Sequence, residues 1–188
     1  MNRQIILVTG PARSGKSEWA ETLAVRSHKS VIYVATALLD SNDTEWQARI
    51  ELHRNRRPAS WNTVDVPVDL AGTIELANES SCLLVDSLGT WLANILALDE
   101  AAWRQTLQDL LSSLQKSRGD VIFVAEETGW GVIPAYPLGR LFRDRLGTAI
   151  RELGAIANPV YLVAGGHVLN LSALGSPLPG NINRQSNI

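Results

Sequence analysis

The chain has 188 residues, 45% of them apolar, with a formal net charge of −2 and a single cysteine, Cys82. That length suits one domain with a sizeable core and leaves two cramped, while the near-balanced charge excludes broad electrostatic capture of nucleic acid or of an anionic membrane. One cysteine excludes an internal disulfide, and no apolar run approaches the roughly 20 residues that span a bilayer.

In chain order, the first apolar run is Ile5-Ile6-Leu7-Val8. It reads as a core strand rather than as part of a signal peptide, so a cytoplasmic protein is expected. A glycine-bounded loop follows, and Ser17 to Arg26 reads as the next helix. Val31 to Ala35 is a second strand. The stretch from Asp40 to Leu70 is polar and rich in Arg and Trp, contains no strand as strong as its neighbours, and reads as a helix and loop insertion. Leu83-Leu84-Val85, Val121 to Ala125 and Val160 to Ala164 supply three more strands. Helical spacing of apolar residues marks Trp103 to Leu114, and Leu138 to Ala157 holds a second, longer helix. The tail from Ser172 onward is rich in Asn, Gly, Pro and Ser and is expected to lack a fixed fold. The strands are continuously apolar rather than alternating, as strands covered on both faces are. Alternation with helices therefore predicts an α/β domain over residues 1–171, three-layered with a mainly parallel central sheet, and ligands at the carboxyl ends of its strands.

The loop after the first strand reads Gly10-Pro11-Ala12-Arg13-Ser14-Gly15-Lys16-Ser17, a phosphate-binding loop of the Walker A kind. A nucleotide's phosphates need several convergent donors, which backbone N–H groups of the loop and of the helix N-terminus supply. The two glycines allow close approach, Lys16 reaches the β and γ oxygens, and the Ser17 hydroxyl sits on Mg²⁺. Leu83-Leu84-Val85-Asp86-Ser87 looks like the matching Walker B strand, its Asp86 placed to hold Mg²⁺ directly or through water. Glu126 and Glu127 end another strand and are able to orient a substrate hydroxyl or a metal, although solvated loop acids explain them as well.

A second dense signal is Arg49-Ile50-Glu51-Leu52-His53-Arg54-Asn55-Arg56-Arg57-Pro58, followed by Trp61, Thr63 and Asp65. Cations packed this tightly repel one another unless an anion joins them, and triphosphate is the evident candidate. A solvated basic helix end accounts for the same run equally well. The spacing admits three roles for His53: a phosphate-binding donor, a general base, or a nucleophile at phosphorus. His28 and His167 have no acidic or cysteine companions at ligand spacing, so no zinc site is expected. Trp19 and Trp103 read as packing residues, and Trp46, Trp61 and Trp91 more readily fill core or interface space than line a site.

Taken together, Val8 through Glu18, Tyr33 through Ala37, the Arg49 to Pro58 block, Asp86 through Leu92, and Glu127 through Asp144 resemble the bifunctional adenosylcobinamide kinase and adenosylcobinamide-phosphate guanylyltransferase family. The resemblance implies a RecA-like P-loop fold and two reactions. In the first, a γ-phosphoryl group passes from ATP or GTP to the aminopropanol hydroxyl of adenosylcobinamide. In the second, His53 is guanylylated by GTP and passes GMP to adenosylcobinamide phosphate. It further implies Lys16 and His53 as the catalytic pair, Ser17 and Asp86 as the Mg²⁺ residues, and nucleotide contacts at Gly10 to Ser17, Val34, Ala35, Thr36, Arg54, Asn55, Arg56, Arg57, Asp65 and Asp86. A homotrimer is implied as well. The chain departs from the family pattern at Asp65, where glutamate is usual, at Glu126, where asparagine is common, and at Ile150-Arg151, in place of an Asn-Gln pair. Two other readings fit part of the pattern: a kinase in which His53 only binds phosphate, and a nucleotide-controlled binding protein.

Overall fold

The computed structural model describes residues 3–38, 51 and 57–178. Strands and helices alternate as β1 (Ile5–Gly10), α1 (Lys16–Arg26), β2 (Ser30–Ala35), β3 (Asn62–Asp65), α2 (Leu70–Glu75), β4 (Ser81–Asp86), α3 (Leu88–Asn94), α4 (Glu100–Lys116), β5 (Asp120–Glu126), α5 (Pro137–Ile156), β6 (Val160–Ala164), β7 (His167–Asn170) and α6 (Leu171–Leu174). The seven strands form one sheet in the order β3-β2-β4-β5-β1-β6-β7. Every pairing is parallel except the last, β6 with β7.

Alternate residues of the central strands feed two cores. Ile6, Val8, Val31, Cys82, Leu84, Ile122 and Val124 pack on one face with Ala20 and Ala24 of α1. Leu7, Val34, Leu83, Val85, Val121 and Phe123 pack on the other with Leu70, Trp91, Trp103 and Leu146, from the helices α2 to α5. Burial on both faces explains the unbroken apolar runs of the sequence. Cys82 lies inside the first core, where burial pushes its thiol up to about 11, so it packs as a small apolar residue.

The amino end of the sheet is fastened by Asp120. Its carboxylate accepts from the backbone N–H of Gln4 at 2.8 Å and pairs with Lys29 Nζ at 2.9 Å, the side chains of Lys29 and Asp120 being 14% and 9% exposed. Substituting Asp120→Ala strands a largely buried ammonium and an N–H together. It is expected to cost about 2–3 kcal/mol, read as a lower urea midpoint with an unchanged slope.

Two segments depart from the sequence reading. Asn62–Asp65, inside the stretch expected to be helix and loop, forms the edge strand β3 against β2. Only Val64 turns inward there, packing on the core; an edge strand held by backbone pairing carries too little apolar character to be seen as a run. Beyond Ala164, the chain turns through Gly165 and Gly166 at φ +58° and +75° and returns as β7, with Val168 and Leu169 exposed. Glycine accepts that left-handed backbone without strain. The one-turn helix α6 follows, capped by the Asn170 carboxamide, and Ser172 Oγ accepts from Val160 N at 2.9 Å.

Candidate nucleotide-binding site

The strands deliver their chemistry to one edge. Gly10 pairs in register with Glu126, Asp86 with Val124, and Ala35 with both Asp65 and Asp86. The carboxyl ends of β1, β5, β4, β2 and β3 thus lie side by side, as the sequence predicts for a ligand edge.

At β1 the chain bends immediately. A Cβ at Gly10 would run into the backbone carbonyl of Val163, so only glycine passes this point. Arg13 and Gly15 take left-handed conformations, φ 58° and 91°, the backbone turns from which anion-binding loops are built. Helix α1 then starts at Lys16 with no side chain capping it, as does α5, which instead begins on Pro137, whereas Asp69, Ser87, Asp99 and Asn170 cap α2, α3, α4 and α6. The first N–H groups of α1 are thereby left for a ligand, and the helix dipole favours an anion there. Lys16 is buried, and among the described residues its ammonium reaches the Pro11 carbonyl alone, at 3.3 Å. Ser14 Oγ is buried with no hydrogen-bond partner among the described residues. A buried cation and an orphan hydroxyl beside an uncapped helix start make a receptor for phosphate.

Asp86 ends β4 on the face covered by α1, two and four residues beyond Leu84 and Cys82 of that core. Its Oδ2 accepts from the Tyr33 hydroxyl at 2.9 Å. Burial first, and Asp86 second, push the Tyr33 phenol well above its ordinary range, so it stays protonated and donates. The Tyr33 ring carries Arg57, whose guanidinium carbon stands 3.3 Å from the ring centroid; Arg57 Nη1 also donates to Thr63 Oγ1 at 3.5 Å. Arg57 Nε is buried with no partner among the described residues. The last arginine of the basic block is thus stacked beside the acid of β4.

Other predicted positions act less directly. Val34 is fully buried and Thr36 likewise. The Thr36 hydroxyl donates to Ser87 O at 2.8 Å and accepts from Ser87 N at 2.9 Å, fixing the turn after Asp86. Ala35 O accepts from Val66 N, and Asp65 stands exposed at the end of β3. Pro11, Ala12 and Ser17 lie within the loop and the first turn of α1, Ser17 half-buried. His53, Arg54, Asn55 and Arg56 lie outside the described residues, as do Trp46 and Arg49.

The two acids that the sequence offers, Glu126 and Glu127, join the site, together with Thr9 and Tyr33, to which it gives no role. Strand β5 lies between β1 and β4, so Glu126 and Glu127 stand between the phosphate loop and Asp86. Thr9 Oγ1 donates to Glu127 Oε1 at 2.7 Å, and Glu127 N donates to Gly10 O at 2.9 Å, locking that acid to the loop's entrance. Glu126 Oε2 accepts from Gly89 N at 3.0 Å, the first turn of α3. Tyr33, as a polar tip within an apolar strand, carried the only signal that sequence offered for the Asp86 contact.

Mg²⁺ fits these groups. Oxygen donors suit a hard cation, and one carboxylate with a hydroxyl matches an ion whose remaining positions go to phosphates and water. No group of three or more His, Cys, Asp or Glu able to hold a metal occurs among the described residues.

A glycine-bent phosphate loop leading into an uncapped helix, on a parallel sheet with an acid at a neighbouring strand end, defines a P-loop nucleotide-binding enzyme fold. Solved structures share the architecture: the Pyrococcus horikoshii OT3 protein PH0250 superimposes with a TM-score of 0.56 at 7% identity, over 90% of this chain and 85% of that one. An ATPase from the type III secretion system of pathogenic bacteria gives 0.51 at 12% identity, over 91% of this chain and 53% of that one. Residues 6–171 match the family described as cobinamide kinase / cobinamide phosphate guanyltransferase, and the chain belongs to that family. It is 39% identical over 174 residues to the bifunctional adenosylcobalamin biosynthesis protein CobP of Pseudomonas aeruginosa, covering 92% of this chain and 98% of that protein. Against the CobU proteins of Escherichia coli and Salmonella typhimurium it is 35% and 36% identical, each over 86% of this chain and 96% of theirs. The chain is accordingly a bifunctional enzyme, kinase and guanylyltransferase. No helix among the described residues is long and apolar enough to cross a membrane.

Proposed function

We propose that this enzyme phosphorylates adenosylcobinamide with ATP or GTP and then transfers GMP from GTP to the phosphate ester through a GMP-histidine at His53. The observation that carries the reading is the uncapped start of α1, with Lys16 and the orphan Ser14 hydroxyl in its loop, on the sheet face to which Asp86 also projects. In the kinase reaction the acceptor hydroxyl oxygen bonds to the γ-phosphorus as the bond to the β,γ-bridging oxygen breaks and the hydroxyl proton passes to solvent. Gly10 through Ser17 hold the triphosphate and Lys16 offsets the charge that shifts to the leaving oxygen. Ser17 and Asp86 would hold Mg²⁺, which when bound neutralises charge on the β and γ oxygens.

In the second reaction the neutral His53 imidazole attacks the α-phosphorus of GTP, and the bond to pyrophosphate breaks. A terminal phosphate oxygen of adenosylcobinamide phosphate then attacks the same phosphorus, the P–N bond breaks, and His53 is restored. Two steps divide one displacement between polyanions into parts in which Arg54, Arg56 and Arg57 neutralise the charge, with Asn55 as a neutral donor beside them. The backbone at Val34, Ala35 and Thr36 and the carboxylate of Asp65 complete the nucleotide contacts. The domain over 1–171, the insertion around 40–70, the tail over 172–188, a homotrimeric assembly and a cytoplasmic location belong to the same proposal, on the strength of the family resemblance.

Product analysis tests it. Adenosylcobinamide, GTP and Mg²⁺ are expected to yield first the phosphate ester and then adenosylcobinamide-GDP with pyrophosphate. Accumulation of the ester alone supports the kinase-only reading, and GTP binding without either product supports a nucleotide switch.

A further inference from the structure

The β5–α5 connection leaves the ligand edge directly after Glu126 and Glu127, yet it exposes large apolar side chains. Trp130 is 61% exposed, Val132 94%, Ile133 66%, Tyr136 79% and Leu138 61%. Five such residues fall within nine positions, and soluble chains keep concentrated exposed apolar surface for a ligand or partner. Beside it lies a pocket of about 440 Å³, walled by Leu38, Ala93 and Phe142 and edged by the polar groups of Thr90, Thr128 and Glu126.

Position says what this surface serves. Glu126 pairs in register with Gly10, one strand away and so about 5 Å in the sheet, which puts the pocket's acidic rim beside the phosphate loop. An acceptor bound there presents its hydroxyl to the γ-phosphate from the side of the sheet opposite α1. The Glu126 carboxylate reaches Gly89 N at the start of α3, which puts it on the rim of this pocket. The surface combines apolar walls with a few hydrogen-bonding groups and one acceptor-only carboxylate. A corrin macrocycle has the complementary chemistry: broad apolar faces, and a periphery of carboxamides that donate N–H. Pockets for drug-sized ligands span about 300–1,000 Å³, so this one admits only an edge of so large a ring, and the rest must lie across an apolar shelf outside it.

We propose that the corrinoid substrate docks with one edge in the pocket between α3, Phe142 and Glu126 and one face on the Trp130–Leu138 segment that leads into α5, a carboxamide donating to Glu126. This rests on the substrate class in the proposed function, but its test separates the two. Equilibrium dialysis against adenosylcobinamide, read by the corrinoid's visible absorbance, measures docking without turnover. Trp130→Ala and Ile133→Ser replace exposed side chains and leave the core intact. Each is expected to weaken adenosylcobinamide binding about tenfold, as truncating an anchoring side chain does, and to raise KM for adenosylcobinamide similarly. GTP binding and labelling of the protein by GTP alone are expected to stay at the wild-type level. Corrinoid binding equal to wild type in both variants overturns the proposal, as does a wild-type protein that binds no adenosylcobinamide. A change in sedimentation in either variant also overturns it, because the loop is then a contact between subunits. Wild-type binding weakened by both variants, but without phosphorylation of the ligand, would uphold the docking site and contradict the proposed activity instead.

Discussion

Replacing Lys16 by alanine is expected to lower phosphoryl transfer to adenosylcobinamide by about 10²–10³-fold in kcat, the scale found when one preorganised donor is removed from a developing charge. The side chain is buried and, among the described residues, its one hydrogen-bond partner is the Pro11 carbonyl at 3.3 Å. A buried ammonium so lightly engaged contributes little to folding, and its removal also relieves a desolvated charge. Thermal stability is therefore expected to hold or rise while the rate collapses, a pairing that a merely structural lysine does not produce. Lys16→Arg is not expected to rescue, since a longer planar guanidinium cannot occupy the place of a compact ammonium within a loop whose backbone is fixed at Gly10 and Gly15. Steady-state kinetics with adenosylcobinamide varied at saturating nucleotide, alongside a melting curve, checks both halves.

His53→Ala is expected to divide the two reactions. Guanylyl transfer should fall by about 10⁴-fold or more, because deleting a covalent nucleophile removes the route rather than one stabilising contact along it. Phosphorylation should keep within a few-fold of wild type, since the phosphate loop, Lys16 and Asp86 are untouched. The visible outcome is accumulation of adenosylcobinamide phosphate in the presence of excess GTP, resolved by chromatography. Equal slowing of both reactions would assign His53 to nucleotide binding instead.

Much of the frame is legible in the sequence. Each strand buried on both faces announced itself as an apolar run, and the order of runs and helical patterns predicted the parallel sheet and its ligand edge. What escaped is what low apolar content hides. Strand β3 offers only Val64 to the core, and β7 pairs through its backbone with Val168 and Leu169 turned outward. At the site, the Walker loop was readable because glycine, lysine and serine are each required by backbone approach, charge and hydroxyl chemistry. The connections among strand ends were not, since Tyr33 meets Asp86 across 53 positions and Thr9 meets Glu127 across 118. Strand order brings them together, and no local pattern encodes it. Thr36 shows the converse: its place in the motif suggests a nucleotide contact, whereas its hydroxyl is spent on both backbone groups of Ser87.

The stacking of Arg57 on Tyr33 joins the two dense signals of the sequence, for it ties the end of the basic block to the strand whose neighbour bears Asp86. One nucleotide surface serving both reactions is the economical consequence. The measurement that bears on this most directly is incubation with α-³²P-labelled GTP, followed by digestion and identification of the labelled peptide. An acid-labile label confined to the peptide carrying His53, and lost in His53→Ala, is the result expected of a two-step transfer. Label on any other residue, or undiminished label in His53→Ala, would contradict it.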